Sequence, residues 1–273
     1  VAITFDVLAC ANRVREAFGR PAAFAVRATG SGARAARAFV GGRDEGDEPA
    51  IVIVPGLNTP TEGNIKARMQ LRDAGVARQR LASAMWGGAE VATSCSGAFL
   101  VASAGLLDGR RATVSWWLAP LFRQLHPDVS LDPDALVVTD GPVTTAGAAM
   151  AQLDLMLAIV TRHAGPRLAD ACARYLLLDQ RRSQARYMAL GYLAAADQHV
   201  ARAERWARDR LGEPFTVDEL AAVAGLGSRT FARRVQRATG LSPVRFVQRL
   251  RVDRATELIE TTRLPFEEIA RQV

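Results

Sequence analysis

Short apolar runs alternate along residues 1–165 with longer stretches whose apolar positions recur every three to four residues. That alternation predicts an α/β domain with a mostly parallel sheet and helices on both faces. Residues 50–54, AIVIV, are wholly apolar, as strands covered on both sides are, and Pro55-Gly56 ends the run. Residues 22–28 form a second candidate strand. Residues 91–94 form another, broken at Cys95-Ser96-Gly97 and followed by a helix of small residues through Ala104. Residues 136–138 and 143–145 read as two strands around an Asp140-Gly141-Pro142 turn, and residues 148–161 as an apolar helix closing the domain. GRDEGDEP, residues 42–49, reads as a solvated loop.

Beyond residue 165 the pattern is helical throughout. Residues 166–173 predict a helix packed on the N-terminal domain, and residues 179–186, with the basic pair Arg181-Arg182, a hinge. A helix over residues 200–211 places Val200, Ala203, Ala207 and Leu211 on one side and ends at Gly212, with His199 a surface residue before it. Next comes TVDELAAVAGLGSRTFARRVQRAT, residues 216–239, which reads as two short helices around a glycine turn. Thr216 and Glu219 form a capping box, Gly225 supplies the left-handed turn, and Ser228 is placed to cap the second helix. Phe231 and Val235 point inward to meet Leu220, Ala224 and Leu226, and the small Ala221 permits a close crossing. Arg229, Thr230, Arg233, Arg234 and Arg237 are left on the other faces, and crossing helices of this kind present side chains to a major groove. Gly240-Leu241-Ser242-Pro243 then caps a long helix over residues 244–260, and residues 264–270 begin another.

Length and composition fit this division. A chain of 273 residues with 49% apolar content can bury two cores. The net charge of +7 is uneven: residues 200–273 hold 14 basic and 10 acidic side chains and residues 167–199 hold five and three, which places +6 of it in the C-terminal part. Such a gradient suits a nucleic-acid partner there. Cys10, Cys95 and Cys172 are too few and too scattered for a disulfide framework or a zinc cage, which points to a reducing, cytoplasmic setting. The sequence has no apolar run of membrane-spanning length and opens without a basic, hydrophobic leader.

Two resemblances sharpen the reading. ATGLSPVRFVQRLRVDRATELIETTRLPFEEIARQV resembles the AraC/XylS DNA-binding domain, in which two helix-turn-helix units are joined by one connecting helix. The likeness covers about residues 200–273, and the sequence stops where the family would continue into its second recognition helix. VATSCSGAFLVASAGLLDGRRATVSWW at residues 91–117, VIVPGLN at 52–58 and TTAGAAMAQLDLML at 144–157 resemble the ThiJ/PfpI group of the class I glutamine amidotransferase-like, flavodoxin-like fold. The whole resembles the GlxA-like transcriptional regulators. This implies a sensing and dimerising domain over residues 1–165 that lacks the family's first strand, a helical linker over 166–199 and a DNA-binding domain over 200–273. Thr230, Arg233 and Arg234 would reach base edges and Arg229 and Arg237 phosphates of double-stranded promoter DNA, in a homodimer that answers to an amino acid or amine.

The elbow at Cys95 is the chemical question. A side chain at such a strand-to-helix corner stands at the carboxyl edge of the sheet, where open α/β sheets bind ligands. Gly56, Leu57, Cys95 and Ser96 converge there, with Trp116 and Trp117 as walls or as ordinary packing. Active relatives place a histidine where this chain has Ser115, and His126, His163 and His199 sit in no motif position. Asp6 falls within a helix rather than at the carboxylate position of the ThiJ/PfpI proteins. A thiol without a general base forgoes about 10²- to 10⁴-fold in rate. Cys95 therefore reads as a pocket residue or an inert thiol, with no cofactor or metal implied, and a cysteine-dependent amidase or glyoxalase-like enzyme is the competing class.

Overall fold

The computed structural model describes residues 2–28, 50–59, 61–179, 181 and 183–273. It divides into two compact units, Val1–Ala185 and Arg186–Val273. The expected loop at residues 42–49 and Arg182 lie outside the described residues. The segment 166–199, expected as one linker, is shared between the two units.

In the first unit a four-stranded sheet has the order β1-β2-β6-β5, where β1 is Ile51–Val54, β2 Glu90–Ser94, β5 Val137–Asp140 and β6 Val143–Ala146. The strands β1, β2 and β6 run parallel, and β5 pairs antiparallel with β6 through the expected turn. A separate two-residue ladder joins β3 (Arg111–Ala112) to β4 (Ser130–Leu131). The period of two along a strand sorts the apolar side chains of β1 and β2 between two cores. Val52, Val54 and Val91 face one core with Ile65 of α2 (Glu62–Gln70), Leu81 of α3 (Arg72–Trp86), Phe99 of α4 (Gly97–Ser103) and Phe122 of α5 (Ala119–Leu125). Ile51, Ile53 and Ala92 face the other, with α1 (Ala2–Ala17), α6 (Ala151–Ala164) and α7 (Pro166–Tyr175). Helices thus cover both faces, which is why β1 reads as a continuous apolar run.

Two expectations for this unit are corrected. Residues 22–28 form no strand: Asn12 of α1 accepts from the amides of Ala23 and Phe24 at 2.9 and 3.0 Å and donates to the Phe24 carbonyl at 2.7 Å, so these backbone groups pair with a side chain instead of a ladder. The closing helix starts at Ala151 rather than 148, because Gln184 accepts from the Ala148 amide and fixes residues 147–148 as a loop. The expected hinge at 179–186 is anchored where it is described. Arg181 binds Asp154 and the Met150 carbonyl, and Gln184, 1% exposed, donates to Thr113, Val114 and Ala135.

The second unit is all helical: α8 (Leu190–Ala194), α9 (Gln198–Arg208), α10 (Val217–Val223), α11 (Ser228–Thr239), α12 (Pro243–Thr261) and α13 (Phe266–Gln272). Val200, Ala203, Leu220, Ala224, Phe231, Val235, Phe246 and Leu250 are all 0% exposed and form its centre. The capping box is present, with the Thr216 amide donating to Glu219 at 2.6 Å and the Glu219 amide to the Thr216 hydroxyl at 3.2 Å. Gly225 and Gly240 take φ of 70° and 76°, the left-handed turns that end α10 and α11. Ser228, expected as a cap, is the first helical residue instead. Gly227 occupies the cap with extended backbone, and the Ser228 hydroxyl donates to Asp218 across the turn. His199 is likewise not a plain surface residue, since its Nδ1 lies 2.7 Å from the Ala224 carbonyl and ties α9 to the end of α10. Among the described residues no helix is long and apolar enough to cross a membrane.

Candidate nucleic-acid interface and elbow cavity

On α11 the buried residues Phe231, Val235, Ala238 and Thr239 define one face. Arg229, Arg233 and Arg237, four residues apart, line up on the opposite face, all exposed. Among the described residues none of the three makes an ion pair, so the ridge faces solvent with its charge uncompensated. Thr230 is half-buried beside it. Arg234 differs: its Nη1 donates to Asp197 Oδ2 at 2.7 Å, and its side chain is 40% exposed against 18% for the carboxylate. Burial alone would raise the Asp197 pKa, but the Arg234 hydrogen bond and the amides of His199 and Val200 outweigh it and hold the carboxyl below its ordinary value.

The elbow is built by β2 and α4. Cys95 has φ of 54°, a left-handed conformation uncommon outside glycine, and its amide donates to the carbonyls of Ala146 and Gly147 at 3.0 and 2.8 Å. Such backbone persists only where the surroundings fix it, and here the end of β6 does so. The Ser115 hydroxyl donates to Cys95 Sγ at 3.0 Å, so serine occupies the partner position. The Leu57 amide donates to Ser96 Oγ at 3.0 Å and locks the loop after β1 onto the elbow.

A cavity of about 380 Å³ opens at the carboxyl ends of β1 and β2, where Gly56, Cys95 and Ser96 meet Asn58, Thr59, Trp117 and Gln152. Leu57 turns its side chain into the core instead, and Trp116 stacks edge-on against Trp117 at 5.3 Å, placing the second tryptophan rather than the first at the wall. Sequence reading missed the buried Gln152, which accepts from the Ser94 hydroxyl at 2.6 Å and donates to Thr4 at 3.0 Å. Nothing local could reveal it, since Thr4 and Gln152 are 148 residues apart. Among the described residues the cavity lining carries no charged side chain. All three histidines are engaged elsewhere: His126 packs on Phe99 and Phe122, where burial lowers its pKa, His163 meets Glu90 at 3.1 Å, and His199 meets Ala224. None lines the cavity.

Residues 220–273 match a family model described as a helix-turn-helix domain. The chain is 28% identical over 172 residues to the HTH-type transcriptional regulator CdhR of Pseudomonas aeruginosa, covering 62% of this chain and 51% of the relative. It is 29% identical over 187 residues to the HTH-type transcriptional regulator GlxA of Rhizobium meliloti, covering 64% and 55%. A crystal structure of an AraC family transcriptional regulator from Pseudomonas putida superposes with a TM-score of 0.43 at 19% identity, covering 64% of this chain and 90% of that one. The chain spans about half the length of the curated relatives it matches. The α/β unit with its cysteine elbow is followed by a helix-turn-helix domain at residues 220–273, and the chain is similar to HTH-type transcriptional regulators.

Proposed function

We propose that the chain is a sequence-specific DNA-binding transcriptional regulator whose first unit senses a small molecule and dimerises. The observation that carries this reading is the uncompensated ridge of Arg229, Arg233 and Arg237 on the second helix of a helix-turn-helix. Arg233 stands at the centre of the ridge, one turn into the helix, and is assigned to a base edge together with Thr230. Arg229 and Arg237 flank it and are assigned to phosphates. An arginine forked onto guanine O6 and N7 contributes about 1–3 kcal/mol of discrimination. A phosphate contact instead contributes about 0.9 to the slope of log affinity against log salt.

Selection of duplexes from a random pool by the wild-type chain supplies the probe. On the selected duplex Arg233→Ala will lower the preference over scrambled DNA about tenfold or more, whereas Arg237→Ala will weaken both alike and flatten the salt slope by about one. Equal losses on both duplexes for Arg233→Ala count against its assignment to bases.

For the first unit, a cavity lined by no charged side chain among the described residues and the half-buried Cys95 support a receptor rather than a catalyst. The Ser115 hydroxyl is a far weaker proton acceptor than imidazole, so among the described residues the hydrogen-bond partner of Cys95 is a poor base for acyl transfer. An amino acid or amine, the effector class that the resemblance implies, would meet the hydroxyl of Thr59, which is buried with no hydrogen-bond partner among the described residues, and the ring of Trp117. A metabolite screen read by thermal shift tests this, because a ligand bound by the native state alone raises stability by RT ln(1 + [L]/Kd). A hit is expected to lose its shift in Cys95→Trp, which fills the cavity mouth, and to change the dimer population in sedimentation. Turnover of an amide or α-oxoaldehyde substrate that disappears in Cys95→Ala would restore the enzyme class.

A further inference from the structure

We infer that Asp197 is the positioning residue of the DNA-reading helix, and that Arg234, although it lies on that helix, is its strut rather than a reader of bases. The inference rests on the DNA-binding reading and refines it. Asp197 stands at the corner between α8 and α9, its amide donating to the Ala194 carbonyl at 3.0 Å. Its side chain caps α9 by accepting from the amides of His199 and Val200 at 2.9 and 3.4 Å. The same carboxylate takes Arg234 of α11 at 2.7 Å, 37 residues away in sequence. One group therefore fixes a helix start and the azimuth of the reading helix together.

Two further contacts make this corner the seat of α11. The helix α8, with Leu190, Leu193 and Ala194 buried, packs directly against α11. His199, two residues after Asp197, holds the end of α10 through the Ala224 carbonyl at 2.7 Å. Both helices of the reading head are thus referred to residues 197–199. An arginine paired with a largely buried carboxylate carries no net charge toward a phosphate, and reaching a base would break the pair and leave Asp197 unbalanced. Arg234 also sits 100° around the helix from Arg233, between the exposed ridge and the core face rather than on the ridge itself.

The test uses the full chain, the selected duplex and a 30-bp random-sequence duplex. Asp197→Asn keeps a good helix cap but removes the charge, which separates positioning from capping. Asp197→Asn and Arg234→Ala are each expected to weaken binding about threefold to fivefold. The double variant is expected to be no weaker than either single one. The salt slope on the random duplex should stay at the wild-type value in all three, in contrast to Arg237→Ala, and Arg234→Lys should recover most of the loss. Should Arg234→Ala flatten the slope by about one, or should Asp197→Asn bind as wild type while Arg234→Ala does not, the strut role is overturned and Arg234 is a DNA contact. A wild-type chain that selects no duplex overturns the regulator reading itself, and with it this inference.

Discussion

Replacing Phe231 with alanine will remove about 3–5 kcal/mol from the second unit, the largest single loss expected anywhere in it. The ring is 0% exposed in the first turn of α11, a helix that packs on α8, α9, α10 and α12. A cavity at that crossing cannot close without moving several helices at once. Whole domains hold only about 5–15 kcal/mol, so the loss is a large share of what keeps the reading head folded. Two transitions are expected on heating the variant, the lower one belonging to the second unit and the upper one unchanged from wild type. Affinity for the selected duplex will fall with the folded fraction, while its salt slope stays as in wild type because the arginine ridge itself is untouched. Phe231→Leu, which keeps most of the volume, should recover more than half of the stability. A single transition within about 1 kcal/mol of wild type for Phe231→Ala would mean that the ring is not the centre of this core.

What the sequence disclosed follows from the range of the interactions involved. The strand β1 was legible because burial on both faces leaves an uninterrupted apolar run, and the Thr216–Glu219 box because its partners are three residues apart. Residues 22–28 misled because their apolar character serves packing on the α1 side of the sheet, with Asn12 supplying the hydrogen bonds a strand would need. Ser228 misled because its hydroxyl found Asp218 ten residues back rather than its own helix. The same rule sorts the functional residues. The exposed ridge on α11 follows from helical period alone, whereas the capture of Arg234 depends on a carboxylate in another helix. At the elbow, Gly56, Cys95 and Ser96 were placed together by strand ends that any parallel sheet aligns, but the choice of Trp117 over Trp116 was set by the 3₁₀ turn at Trp116–Leu118.

Gly97→Ala is the second large effect, and it tests how tightly the elbow is closed. A Cβ built on Gly97 would lie 2.4 Å from Thr93 Oγ1, 2.8 Å from the Pro55 carbonyl oxygen and 3.1 Å from that of Val54. The threonine hydroxyl can rotate away, since it is buried without a hydrogen-bond partner among the described residues. The two carbonyls are backbone and move less easily: Val54 ends β1, which the ladder to β2 holds in register, and Pro55 follows it directly. The methyl group must therefore push β1 and α4 apart, at a cost of about 1–3 kcal/mol or more for overpacking. That displacement also parts Gly56 from Cys95, whose Cβ atom lies only 3.3 Å from where a Gly56 side chain would begin, so the cavity mouth changes shape. The thermal transition of the first unit is expected to fall while that of the second unit stays, the reverse of the Phe231→Ala pattern. Any ligand-induced shift should fall with it. Gly63→Ala is the matched control: nothing lies within 4 Å of a Cβ there, and the gain in helical preference should leave stability unchanged or raised by up to about 1 kcal/mol. If Gly97→Ala unfolds with its control, the loop after β1 does not press on the elbow, and the cavity loses the wall that makes it a receptor.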